Sequence, residues 1–224
     1  MNTRLAQELG LEFPIFAFTH CRDVAAAVSK AGGLGVLGVA AHSADALRAE
    51  LEWIEKEVDG KPYGVDLLLP AKFVGSDKAG GFSPEELDAR IPAEHQQFLD
   101  DLLNQHEVPP LPADASVRDE FAVGLDKQRD VIEMLFEYNI SLIASALGPP
   151  PSWMVELGKQ HGVKVAALAG TVAHAKRHAE AGADIIIAQG YEAGGHTGEV
   201  ATMVLVPEVV DAVAPLPVLA AGGI

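Results

Sequence analysis

Short, nearly continuous apolar runs alternate along the chain with longer stretches in which apolar residues recur every three or four positions. The short runs are "FPIFAF" (13–18), "LGVLG" (34–38), "KPYGVDLLL" (61–69), "ISLIAS" (140–145), "VKVAALA" (163–169), "ADIIIAQ" (183–189) and "LPVLA" (216–220). Lacking polar alternation, they read as strands covered on both faces, and such strands are usually parallel. Between them "RDVAAAVSKAG", "SADALRAELEWIEKEV", "QRDVIEMLFEYN", "PSWMVELGKQHG", "TVAHAKRHAEAG" and "MVLVPEVVDAV" carry helical spacing. Ser43, Ser152 and Thr171 suit N-caps or first-turn positions, and Gly32, Gly162 and Gly182 suit C-caps. The alternation predicts βαβ crossovers in a single α/β domain over 1–224. Seven strands in this order suit an open doubly wound sheet or most of an eight-stranded barrel, and periodicity does not choose between them.

One connection is longer than the rest. Residues 70–120 exceed a usual βα loop, and within them "SPEELDARI" and "AEHQQFLDDLLNQ" read as helical and "VPPLPADA" as irregular. The expectation is a helical insertion over the carboxyl ends of the strands, where it would shape or cover a site. At the other end, "LPVLAAGGI" is a strand followed by two glycines that open a βα loop, so the expected barrel breaks off after its seventh strand.

Composition narrows the function classes. Hydrophobic residues make up 49% and charged residues 21%, an ordinary globular balance. The net charge of -16 argues against general affinity for nucleic acid or anionic membranes. The one cysteine, Cys21, excludes an internal disulfide and suits a reducing cytoplasm. No run reaches the roughly 18 apolar residues of a spanning helix, and "MNTRLAQELGLEF" lacks the apolar core of a signal peptide. Oligomeric state is not legible.

The candidate chemistry lies in "QGYEAGGHTGEV" (189–200), straight after an apolar strand. Gly194, Gly195 and Gly198 remove side chains that would keep a planar ligand from the backbone, and they permit positive φ. His196 then projects from the carboxyl end of a parallel strand, where α/β folds place chemistry. Its ordinary pKa of about 6.5 suits proton abstraction near neutrality. A tight glycine turn with His196 bonded to a neighbouring carbonyl reads the same residues equally well.

Four stretches taken together, "KAGGLGVLG", "KPYGVDLLLP", "AGTVAHAKRHAEAGADIIIAQGYEAGGHTGEV" and "PVLAAGGI", resemble the nitronate monooxygenase family, formerly called 2-nitropropane dioxygenases. The resemblance implies an FMN-dependent (β/α)8 TIM barrel that oxidises alkyl nitronates or nitroalkanes with dioxygen to carbonyl compounds and nitrite. It makes His196 the base that takes a proton from the carbon beside a nitro group. Gln189 resembles the family's flavin-contacting glutamine, Gly194 and Gly195 would allow close backbone approach to FMN, and Gly222 and Gly223 resemble the start of the phosphate-binding loop. Asp66 stands where the family commonly has asparagine in "GVNL", and a carboxylate lacks the amide's donor. After the first strand this chain has "FAFTHCRD" where the family often has "APM", which makes His20 and Cys21 substrate-pocket candidates. Ser145 at the end of "LIAS" is another, within reach of flavin or substrate.

Three alternatives stay open. The same barrel serves flavin-dependent enoyl thioester reductases, and an acyl-CoA oxygenase fits equally well. His174 and His178 stand four apart on a helix and could bind zinc, although Lys176, Arg177 and Glu180 make that face look merely solvated. A non-catalytic barrel fragment is the last.

Overall fold

The computed structural model describes residues 3–40, 42–70, 86, 88–110 and 125–224, the side chains of 125–128 excepted. Seven strands, β1 (Phe16–Thr19), β2 (Leu34–Gly38), β3 (Tyr63–Leu68), β4 (Leu142–Ala146), β5 (Lys164–Ala169), β6 (Ile185–Gln189) and β7 (Val218–Ala221), lie side by side in chain order. Every neighbouring pair is parallel, with Gly38 opposite Asp66, Asp66 opposite Ala144, and Gln189 opposite Ala221. A doubly wound sheet would reverse its strand order near the middle; this one never does. Phe16 of β1 and Leu219 of β7 also pack against the same inner cluster, Leu34, Val36, Leu142, Ala144, Ala166 and Ile185. The sheet is therefore curled on itself as a (β/α) barrel wall, with β1 and β7 as its two edges.

Helices with described bounds are α1 (Arg4–Glu8), α2 (Arg22–Lys30), α3 (Ala44–Val58), α4 (Ala93–Gln105), α5 (Leu125–Leu135), α6 (Ser152–His161), α7 (Val172–Glu180) and α8 (Thr202–Val213). Ser43 and Thr171 accept bonds from Ala46 N and His174 N, as expected of caps. Ser152 is the first helical residue behind Pro151. On α3 a stripe of Leu47, Leu51, Ile54 and Val58 is fully buried against the sheet, the 3.6-residue period turned into a core face. Trp53 packs partly buried against the same cluster, with the Arg22 guanidinium 4.7 Å from its ring. Leu5 of α1 is buried in the inner cluster, and Lys164 at the start of β5 reaches Glu8 at 3.8 Å, so α1 sits across the amino end of the barrel.

Of the long connection, "AEHQQFLDDLLNQ" is helical as α4. Of "SPEELDARI", Glu86 and Asp88 are helical and residues 83–85 and 87 fall outside the described residues, as does "VPPLPADA" beyond residue 110. Among the described residues no helix is long and apolar enough to cross a membrane.

Candidate active site

Because side chains along a strand alternate between faces, each strand offers the barrel interior every second residue. Val36 and Gly38, Asp66 and Leu68, Ala144 and Ala146, Ile187 and Gln189 turn inward and line a cleft of about 2020 Å³. The carboxyl ends of the strands add His20, Gly170, the loop residues Gly194 to Gly198, and Gly222 and Gly223. Thus His196, Gln189, Asp66, His20 and both glycine pairs share one wall-bounded space, although they lie as far apart in sequence as residues 20 and 223.

The loop carrying His196 is tied down at both ends. Gly190 N donates to Ala221 O at 3.2 Å, and Tyr191 N to Val200 O at 3.0 Å, which closes residues 191–200 into a compact excursion. The Glu192 carboxylate accepts from both the backbone N and the hydroxyl of Thr202, each at 2.8 Å. It therefore caps α8 from ten residues away, and the Thr202 N–H bond holds its carboxyl below the usual range. Gly198 packs backbone to backbone on Gly170, with no room for a side chain at either position. Gly195 needs its φ of 76°, and a Cβ added at Gly194 or Gly195 meets no atom within 4 Å. These two glycines border open cleft rather than protein. Gln189 Nε2 reaches Gly194 O at 3.5 Å, a long bond that leaves the amide's other positions toward the cleft.

The loop after β7 nests against this one. Gly222, at φ 90°, lies where an added carbon would strike Ala193, and Gly223 lies against Glu192. Gly222 and Gly223 both take left-handed φ values, 90° and 69°, which glycine adopts without strain.

Asp66 is the most unusual member. It is 8% exposed on β3, and burial alone pushes its carboxyl up to about 7. Beside it, Gly38 has no side chain because the His20 ring occupies that space, with its Nδ1 2.8 Å from where a Cβ would stand. His20 in turn meets Phe18 edge to face at 5.0 Å.

Two expected pocket residues lie elsewhere. Ser145 is fully buried on the opposite face of β4 from Ala144 and Ala146, and its hydroxyl donates to Gly148 O at 3.2 Å. Cys21 stands exposed at the N-cap position of α2, where the turn bonded from Cys21 N to Thr19 Oγ1 carries the chain away from the cleft. None of the described residues of 88–110 lines the cleft, so the expected cover over the site is not provided by α4. Its Phe98, Leu99, Leu102 and Leu103 are at the surface.

For the zinc alternative, the His174 and His178 rings are 6.5 Å apart, but His178 is 4% exposed with Nε2 2.9 Å from Leu168 O. Among the described residues no group of three His, Cys, Asp or Glu side chains is placed to hold a metal. The solvated-face reading fails at His178 too, since its ring is buried against the sheet. Sequence reasoning also missed Glu192; the only signal was an acid ahead of a helix start, at a distance no local capping rule covers.

The family model described as nitronate monooxygenase matches residues 3–224. A Mycobacterium tuberculosis protein named "Putative monooxygenase Rv1533" is 57% identical over all of this chain and 60% of its own length. A Staphylococcus saprophyticus protein named "Probable nitronate monooxygenase" is 30% identical over all of this chain and 61% of its own. The chain thus spans about three-fifths of these relatives' length. Among solved structures, the M276A mutant of FabK from Thermotoga maritima superposes with a TM-score of 0.69 at 28% identity, over all of this chain and 58% of that one.

Proposed function

The chain belongs to the nitronate monooxygenase family, and from that premise we propose that it is part of an FMN-dependent oxidoreductase which oxidises alkyl nitronates, or nitroalkanes, with dioxygen to carbonyl compounds and nitrite. The observation that carries the reading is that His196, Gln189, Asp66 and the glycine pairs 194–195 and 222–223 all line one cleft, which runs through the barrel from Glu8 and Lys164 at its amino end to the loops after β6 and β7. Those residues suit a flavin. The open glycines of the 190–200 loop leave an open border for a planar ring, and the family resemblance would put the phosphate at the glycine pair after β7, which also lines the cleft. Gln189 and Asp66 are the polar side chains for the ring's edge.

When bound, FMN supplies the electron transfer, and the protein's task is to bind, orient and manage protons. Gly222 and Gly223 would hold the phosphate end, and Gly194 and Gly195 would admit the ring beside the backbone. His196, exposed in the cleft, takes the proton from the carbon bearing the nitro group, and the electron pair of that C–H bond delocalises onto the nitro oxygens to give the nitronate. A nitronate supplied as such has already lost this proton. The small substrate and dioxygen are the partners this requires. The reading places the enzyme in a reducing compartment, in keeping with the exposed free thiol of Cys21.

His196→Asn separates the two substrates. It should lower kcat/KM for neutral nitroalkanes by about 100-fold or more, the usual contribution of a general base, and change nitronate oxidation by only a few-fold. Equal losses on both substrates would remove His196 from the base role and leave it a binding residue.

A further inference from the structure

Asp66 is an acid surrounded by nothing that answers it. Its register neighbours on either side, Gly38 and Ala144, have almost no side chain, and neither β2 ("LGVLG") nor β4 ("LIASA") brings a charge. Among the described residues no hydrogen bond or ion pair reaches its carboxyl, and burial is the whole cause of its raised pKa. The inner face around it is apolar, built from Val36, Leu142, Ala144 and Ala166. A carboxylate there is costly, and a carboxylic acid there carries a proton that needs an acceptor. Among the described residues none is bonded to it, although the His20 ring stands over its neighbour Gly38, and the side chain borders the cleft.

One titratable ring, that of His20, stands beside the register neighbour of Asp66, and most of the other groups are engaged elsewhere. His20 lies over Gly38, and His196 enters from the loop after β6. At the amino end of the barrel, Glu8 pairs with Arg4 and Lys164, and Asp184 accepts from Val165 N. On α2, which packs against the outer side of β1, β2 and β3, Arg22 pairs with Glu50, Lys30 with Glu57, and Asp23 faces Cys21 Sγ. His174, Arg177 and His178 of α7 also border the cleft, with His178 held at Leu168 O.

We propose that Asp66 binds as a neutral carboxylic acid, donating a hydrogen bond to an acceptor on the edge of the flavin ring, so that flavin is held tightly only while that proton is in place. The proposal rests on the flavin reading of the cleft. On the β2 side the His20 ring fills the space over Gly38, and on the β4 side the small side chain of Ala144 leaves the acid open to the cleft. The donor is thereby an acid that a rise in pH removes, where an amide would persist.

The test is the affinity of the wild-type protein and Asp66→Asn for FMN and for riboflavin, followed by flavin fluorescence from about pH 6 to about pH 9. The wild-type should lose about tenfold in affinity per pH unit above about 7, because only the protonated fraction binds. Riboflavin, having no phosphate to titrate, should show a parallel slope, and Asp66→Asn should be flat. The infrared spectrum of the flavin-free wild-type at the acidic end should contain a protonated-carboxyl band that Asp66→Asn lacks. Flavin affinity that is flat with pH in the wild-type, or a slope that survives in Asp66→Asn, would overturn the proposal while leaving the flavin reading intact. Failure of both flavins to bind at any pH would overturn that reading and the proposal with it. Should Asp66→Asn not fold, the wild-type riboflavin slope and the infrared band decide.

Discussion

Gly194 borders open cleft, with no atom within 4 Å of an added Cβ and an ordinary backbone conformation, so Gly194→Leu should fold with an unchanged Tm. The same side chain would stand where a flavin ring needs to approach, and FMN affinity should fall by about tenfold or more. Calorimetry and a flavin titration on one preparation check both halves. Asp66 gives a second prediction, from linkage. Its folded carboxyl titrates at about 7 against an ordinary 3.8, so between those values the folded chain keeps a proton that the unfolded chain has released. Its contribution to stability is present at low pH and is lost as pH rises through that window, by about 1.4 kcal/mol per unit. Denaturant unfolding should therefore show Asp66→Asn gaining on the wild-type from about pH 4 to about pH 7, with the two converging at the acidic end. Legibility at this scale followed the strand period. Gln189 and Asp66 came to the cleft because strand ends point there whatever the fold's detail. Ser145 did not, since "LIASA" is apolar on both faces and nothing in the sequence marks which residues turn inward. The neighbours Ala144 and Ala146 do, and Ser145 is left on the helix side.

The loop between β6 and α8 depends on contacts that cross its base. Glu192→Ala removes both acceptor bonds to Thr202 and should free residues 191–200. Amide exchange there should quicken by about tenfold, with the protection of β6 itself unchanged. Thr171→Ala deletes the N-cap of α7, which should cost about 1 kcal/mol of stability by denaturant unfolding without moving the cleft. The interior strands were readable because burial on both faces erases alternation and leaves pure apolar runs. The edges were less so. β1 starts at Phe16 rather than residue 13 because Glu12 and Phe13 donate to Gly32 O in a turn and Pro14 has no N–H. β7 starts at Val218, after Pro217. The helical pattern of α4 was plain, but a period shows which face is apolar and not what covers it; its Phe98 is 68% exposed.

For the molecule as a whole, strand count and order were in the sequence, but curling was not. That follows only from β1 and β7 packing on one inner cluster, which brings together residues about two hundred positions apart, as Phe16 and Leu219 are. The curled sheet turns scattered strand ends into one site. The net charge of -16 leaves any phosphate to be held by local backbone groups rather than by the general field. The central claim is that this site holds a flavin which a nitronate reduces. It is tested by adding FMN to the purified protein, removing free flavin and oxygen, and titrating with an alkyl nitronate while the flavin absorption band is recorded. The account predicts a bound flavin whose band bleaches without any pyridine nucleotide and returns when dioxygen is admitted, with nitrite released. A protein that binds no flavin, or a bound flavin that bleaches with NADH or NADPH but not with nitronate, would contradict it.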